Sequence, residues 1–427
     1  MSVDVPEKLP NLPESLLPRE HNLYRPRHSP RQRVALVLAV LFFATPGLLL
    51  VVGVRPAHFE NRELAAFPSI TDGWGFITGF GPWADDHIPF RDVAVSAADG
   101  ISRGLFGEPA PQQTRKGDLG GPVQPPTDPS LDKPDPVAFA RVVEGKEGWL
   151  YLGADVQQAC EPLVPLEEVF ARVNRLRLAV ESSGRKFVFV VAPNKSTMEP
   201  DHLPAKYFGK ACHQATTERF WSRVVDATGA IDIRDELRTA AEQSGGPVYT
   251  RKDSHWDNRG GIVMARAVVD AVSPGTSRTW KPESNGPFGR TGDLSRLLGR
   301  PEKDEFEAFS LKPDGEEVRS RNLDGDEKQP QRSTQSPIRG VVDTKVGLLG
   351  DSFTFAGAKY LVAGFTDITV QHTKALAEDP FQVGRMFAEN EVVVLEVAER
   401  NLVGGVDSVL NGPVLDAITR ELAKQPR

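Results

Sequence analysis

Residues 345–355 read KVGLLGDSFTF. An apolar run ends at Gly350, and Asp351 and Ser352 follow on a turn, with a helix expected beyond. Gly-Asp-Ser is ordinary turn composition, so the tripeptide alone does not make Ser352 a reactive group. Its address does more. Ligands of open α/β sheets bind at the carboxyl ends of strands. Backbone N–H groups at the start of a following helix can face a developing negative charge there.

Working outward, the chain alternates between two periods. KFVFVVAPN (186–194) is a β-rich run ended by proline, AIDIRD (230–235) a second strand, and DITVQH (367–372) and EVVVLEV (391–397) two more. Between them, apolar residues at 166, 169, 170, 173, 176 and 180 recur at helical spacing behind Pro165, and 217–227 and 260–272 also read as helices. Strands alternating with helices predict an α/β domain: a mostly parallel sheet covered on both faces, hence three layers. Residues 275–340 interrupt the alternation. They are polar, rich in charge, Gly and Pro, and hold few strand candidates, which reads as a long, partly mobile insertion.

The 427 residues are 39% apolar and carry a formal net charge of −7. That balance supports a sizeable core and argues against a nucleic-acid partner, which needs a concentrated basic face. The stretch 34–54, VALVLAVLFFATPGLLLVVGV, has no charge and is long enough to cross a hydrocarbon core of about 30 Å. Arginines 19, 25, 27, 31 and 33 precede it, so the N-terminal side is expected to be cytoplasmic. The run is longer than a signal-peptide core and lacks a clear cleavage site, which favours an uncleaved signal anchor. The expected organisation is a disordered tail (1–33), a single transmembrane helix (34–54), a connecting region (55–143) with a flexible Pro/Gly-rich stretch (109–137), and a catalytic domain over 144–427. Two cysteines, Cys160 and Cys212, flank one βα unit and permit one disulfide in an oxidising compartment.

A serine nucleophile needs a base, normally a histidine steadied by a carboxylate. His255 stands in YTRKDSHWDNRGG (249–261), two residues after Asp253. In an extended segment such neighbours share a side. The plainer reading is a helix start capped by Asp257, with Asp253 and His255 as polar loop residues. His87, in DDHIPFRD, is the competing base. No further His/Asp/Glu cluster at ligand spacing completes a metal site around 253–255.

Eight pieces taken in order are FENRELAAFPSI, DDHIPFRD, GKEGWLYL, APNKSTMEPDHLP, YTRKDSHWDNRGG, TGDLSRLLG, LLGDSFTF and VVVLEVAERNL. Together they resemble the SGNH-hydrolase-like proteins of the alginate O-acetyltransferase type (AlgJ/AlgX-like). The resemblance implies an SGNH-like fold with Ser352 as nucleophile, His255 as base and Asp253 as its partner, in an order permuted relative to common SGNH hydrolases. It further implies transfer of an acetyl group to a glycan acceptor, with the donor supplied by a multi-pass membrane acyltransferase, and no cofactor. Oxyanion donors are expected at the Ser352 N–H and, as an alternative to a plain turn residue, at Asn194. Trp256, Tyr249 and Arg400 are candidates for the cleft. Trp256 and Tyr249 read equally as core, and Arg400 reads first as a surface partner of Glu396. The alternatives are a carbohydrate acetylesterase with the same triad and a non-catalytic scaffold of a polysaccharide assembly.

Overall fold

The computed structural model describes residues 139–427 without a break and, before them, 30–52, 54, 67–69, 71, 73–87, 97, 100 and 101. Of the expected disordered tail over 1–33, residues 1–29 lie outside the described residues, as does the Pro/Gly-rich stretch 109–137; residues 30–33 are helical instead. The chain divides into two units, Met1–Val95 and Ser96–Arg427.

In the first unit Pro30–Val51 is one 22-residue helix and Trp74–His87 another. Side chains are described without a break only over 33–45 of the longer helix, less than the roughly 20 residues a membrane span needs. Among the described residues no helix is long and apolar enough to cross a membrane.

The second unit opens with a small antiparallel pair, β1 (Val142–Glu144) and β2 (Leu150–Leu152). The main sheet has six strands: β3 (Lys186–Ala192), β4 (Ile231–Asp232), β7 (Gln331–Thr334), β8 (Val342–Gly350), β9 (Phe365–His372) and β10 (Val392–Ala398). Their spatial order is β4-β3-β10-β8-β9-β7, parallel throughout except for β7, which runs antiparallel along the β9 edge. Ser352 thus follows a central strand.

Successive strand residues point to opposite faces, and both faces are apolar. Val188, Val190, Val346, Leu348 and Val394 pack with Met264, Ala265 and Val268 of helix Asn258–Val272 and with Tyr360 and Leu361 of helix Ser352–Gly364. Phe189, Val191, Leu349, Val393 and Leu395 pack on the other side with Val169, Val173 and Leu176 of helix Leu166–Ser182, and with helices Pro380–Glu389 and Gly412–Lys424. The helices used below, in chain order, are α1 (Gly153–Cys160), α2 (Leu166–Ser182), α3 (Lys210–Trp221), α4 (Asn258–Val272) and α5 (Ser352–Gly364). Two helices cover one face of the sheet and three the other, a sheet between two helical layers as the alternation of periods predicts.

α4 and α5 cross at two glycines. A β-carbon on Gly261 would lie 2.8 Å from the Cα of Gly357, and one on Gly357 would lie 2.7 Å from the Cα of Gly261. Any larger residue would push the helices apart. Cys160, at the end of α1, is joined to Cys212 in α3, with Cα atoms 5.3 Å apart.

The stretch 275–340 departs from expectation. It forms a long hairpin, β5 (Lys281–Thr291) and β6 (Lys303–Lys312), a short helix (Asp293–Leu297) and the edge strand β7. Nearly every residue of β5 is exposed. A strand that meets water on both faces needs no apolar alternation, which is why the sequence conceals it. The single helix expected over 217–227 is two, Lys210–Trp221 and Val224–Thr228, broken at Ser222 and Arg223.

Candidate active site

Tyr249 bridges to Trp256 across the loop that holds Asp253 and His255. Asp257 closes this loop by capping α4, its side chain accepting from the N–H groups of Arg259 and Gly260. Asp257 is the cap, as the plainer reading expects, and the pair before it lies against the serine. His255 Nδ1 lies 2.9 Å from Asp253 Oδ1, and the His255 N–H donates to the same oxygen at 3.0 Å. His255 Nε2 lies 2.8 Å from Ser352 Oγ. A carboxylate only accepts, so Nδ1 carries the proton and the neutral ring presents Nε2 as acceptor to the serine O–H.

Two further groups belong to this arrangement. Asp293 Oδ2 is 3.7 Å from His255 Nδ1, and Asp293 accepts from the Ser254 N–H and hydroxyl. Arg290, from the end of β5, donates to Asp253 Oδ2 at 3.2 Å. Burial disfavours the His255 imidazolium, but the hydrogen bond to Asp253 and the charges of Asp293 and Asp253 outweigh it and raise its pKa, while Arg400 pulls the other way. Asp253 is buried too, which alone would raise it. The hydrogen bond from His255 and the charges of His255 and Arg290 bring it instead to about 2.

The serine turn rests on buried acids. Asp351 caps α5 by accepting from the Phe353 N–H, and its other oxygen accepts from the Ala398 N–H at 2.9 Å. Glu396, fully buried in β10, accepts from the Asp351 N–H and the Thr354 hydroxyl. Burial, and then the Asp351 charge, push its carboxyl well above the ordinary range. Gly350 is required because a β-carbon there would meet Thr354 Oγ1 at 2.1 Å. Ser352 is the first residue of α5, so its N–H has no intrahelical acceptor. Asn194 is buried past the end of β3. Its Oδ1 accepts from the Arg400 N–H at 3.3 Å, and its Nδ2 makes no protein hydrogen bond among the described residues.

Lys195 fixes the base loop from below. Its buried ammonium donates to the carbonyls of Arg251 and Asp253 at 2.9 and 3.0 Å and lies over the Trp149 ring. Burial lowers its pKa to about 7 against the pull of Asp293, Asp253, Asp304 and Glu199.

Three cleft candidates are resolved differently. Trp256 and Tyr249 are each 1% exposed; the Trp256 indole donates to the Phe353 carbonyl and the Tyr249 hydroxyl to the Pro193 carbonyl. Both are core residues and present no face to a sugar. The Arg400 guanidinium lies 5.2 Å from the Phe353 ring and 3.9 Å from Asp155. It forms no surface pair with Glu396, which is occupied beneath the turn. His87, the competing base, ends the helix Trp74–His87 with its ring stacked on Trp83 and Nδ1 2.9 Å from the Trp83 carbonyl. Asp253, His255 and Asp293 bring ligand atoms within 4.8 Å of one another, a cluster the sequence spacing did not reveal. A cation there would have to displace the Nδ1 proton shared with Asp253 and compete with Arg290 for the same carboxylate.

A family profile described as "SGNH hydrolase-like domain, acetyltransferase AlgX" matches residues 142–367, more than half of the chain. The chain belongs to that family. Within this SGNH hydrolase-like family the chain is 27% identical over 331 residues to a probable alginate O-acetylase AlgJ of Pseudomonas syringae pv. tomato, covering 74% of this chain and 73% of that one. It is 29% identical over 126 residues to the probable alginate O-acetylase AlgJ of Pseudomonas aeruginosa, 29% of this chain and 31% of the other. The solved O-acetyltransferase domain of Pseudomonas putida AlgJ shares 20% identity and a TM-score of 0.45, over 65% of this chain and 98% of that domain. The family's matched span takes in both Asp293 and Arg290. The sequence pointed to neither, although TGDLSRLLG contains the first.

Proposed function

We propose that the chain is a membrane-anchored O-acetyltransferase that carries an acetyl group on Ser352 and passes it to a hydroxyl of an extracytoplasmic glycan. The observation that carries this reading is the unbroken hydrogen-bonded series Ser352 Oγ, His255 Nε2, His255 Nδ1, Asp253 Oδ1, at 2.8 and 2.9 Å. As Ser352 Oγ attacks the acetyl carbonyl, His255 Nε2 takes its proton, and Asp253 stabilises the imidazolium. The Ser352 N–H at the α5 N-terminus and the Asn194 amide stabilise the oxyanion. The leaving group departs with the proton from His255, and acetyl-Ser352 remains. A sugar hydroxyl then attacks, His255 taking its proton, and Ser352 is regenerated. The donor reaches the site from a multi-pass membrane acyltransferase, as the family resemblance implies.

The anchor reading is supported by the helix Pro30–Val51, whose Val34, Leu36, Val37, Leu38, Val40, Leu41, Phe42 and Phe43 are all exposed. A helix apolar all round is stable in lipid or deep in a core. The disulfide suits an oxidising compartment on the far side.

The test uses the full-length chain in detergent, p-nitrophenyl acetate as donor, and intact-mass and peptide mapping with and without sugar oligomers. Acetyl on Ser352, absent in His255→Ala and discharged faster by an oligosaccharide that itself becomes acetylated, is the expected result. Discharge to water alone, whatever the oligomer, would make the chain an esterase. A folded protein that never acquires acetyl on Ser352 would overturn the mechanism.

A further inference from the structure

A cleft of about 640 Å³ opens past the ends of β3 and β4. Its walls come from the turn after β3 (Ser196, Thr197), the loop 200–207, the first turns of α3, and Arg234 just beyond β4. The lining is mixed. Leu203, Pro204 and Tyr207 offer apolar surface, and Lys210, Gln214 and Thr217 offer hydrogen-bonding groups beside it. His213 is also part of the wall. It is 3% exposed, its Nδ1 meets the Tyr207 hydroxyl at 3.0 Å, and its Nε2 is buried with no hydrogen-bond partner among the described residues. Lining charges of both signs, Lys146 and Lys210 against Asp201 and Glu218 with Arg234 paired to Asp232, make the cleft neither an anion trap nor a cation trap.

Strand order relates this cleft to Ser352. Ser352, Glu399, Thr197 and Arg234 stand just past the ends of β8, β10, β3 and β4, which are neighbours in that order. Side-chain contacts link parts of this edge: Thr197 Oγ1 donates to Glu399 at 2.7 Å, Ser196 Oγ donates to Asp155 at 3.0 Å, and Asp155 lies 3.9 Å from Arg400, whose guanidinium is 5.2 Å from the ring of Phe353, next to the serine in sequence. Two to three strand spacings of about 4.8 Å put the cleft about 10–14 Å from the nucleophile along the sheet edge.

We infer that this cleft binds the acceptor: a hydroxyl-rich oligosaccharide segment flanking the sugar that receives acetyl. Sugar rings present C–H faces and hydroxyl edges, which the alternating apolar and polar lining matches, and the volume lies within the range of ligand sites. The inference rests on the proposed acetyltransferase reading, and its test is a binding measurement that does not need the chemistry.

Full-length Ser352→Ala protein in detergent is titrated calorimetrically with an alginate hexasaccharide and, separately, with cellohexaose. At least one is expected to bind, and adding Gln214→Trp, an exposed position that fills the cleft, should weaken it about tenfold or more. Lys210→Glu should weaken it as well, and decides the matter if the tryptophan variant melts earlier. Failure of both hexasaccharides to bind, or binding that survives both substitutions in folded protein, would overturn the inference. Absence of acetyl-Ser352 in the earlier experiment would instead remove the chemistry and leave a measured glycan site in place.

Discussion

His255 lies between opposing charges, and its titration should report each of them. Acylation requires the neutral imidazole, so the rate falls as pH drops through the His255 pKa, which is raised above its ordinary value. Asp293→Asn removes a charge that raises it, so the acid limb of acetyl-Ser352 formation should move to lower pH. Arg400→Gln removes a charge that lowers it, and the limb should move to higher pH. Stopped-flow acylation across a pH series separates the two; a limb that stays in place in both variants would mean His255 is not the titrating base. His255→Ala should slow acylation by about 10⁴-fold or more. Ser352, His255 and Asp253 could be singled out as candidates because each belongs to a short local pattern. Asp293 and Arg290 stayed hidden because they approach His255 and Asp253 from a hairpin end, and no local spacing records that approach.

The elements hold the Asp253–His255 loop by a few specific contacts. Lys195, on the turn after β3, binds the carbonyls of Arg251 and Asp253 from beneath. Lys195→Met keeps the bulk but strands two buried acceptors, at about 1–3 kcal/mol each. Denaturant unfolding should register that loss. The Asp253–His255 loop should also loosen, so kcat for acetyl transfer should fall more than stability alone explains. The β5–β6 hairpin is the second support. Arg290→Gln leaves its fold to the remaining strand pairing but frees Asp253 from its ion pair, and the Asp253 carboxyl should titrate higher, visible by NMR. Strands β3, β8, β9 and β10 were legible as apolar runs because they are buried on both faces. The hairpin was not, since β5 meets water along nearly its whole length and β6 buries only Phe306 and Leu311, too few positions to write an alternation.

At the scale of the whole molecule, one covalent link and one helix crossing constrain the catalytic unit. The Cys160–Cys212 bond closes a loop of sequence separation 52 and holds α3 against α1. Replacing both cysteines by serine should lower the unfolding free energy by about 4 kcal/mol in the loop-entropy picture. A thermal melt of the double variant checks this, and a melt unchanged from the parent would show the link to be dispensable. The α4–α5 crossing has a different kind of consequence. His255 precedes α4 and Ser352 begins α5, so the separation of imidazole and hydroxyl is inherited from how closely two backbones approach at Gly261 and Gly357. Written as text, that distance becomes a pair of spacings, His-x5-Gly and, a hundred or so positions later, Ser-x4-Gly. A genome scan that demands both glycines as well as the reactive residues would separate chains able to close this gap from those that carry the same letters on helices too thick to meet.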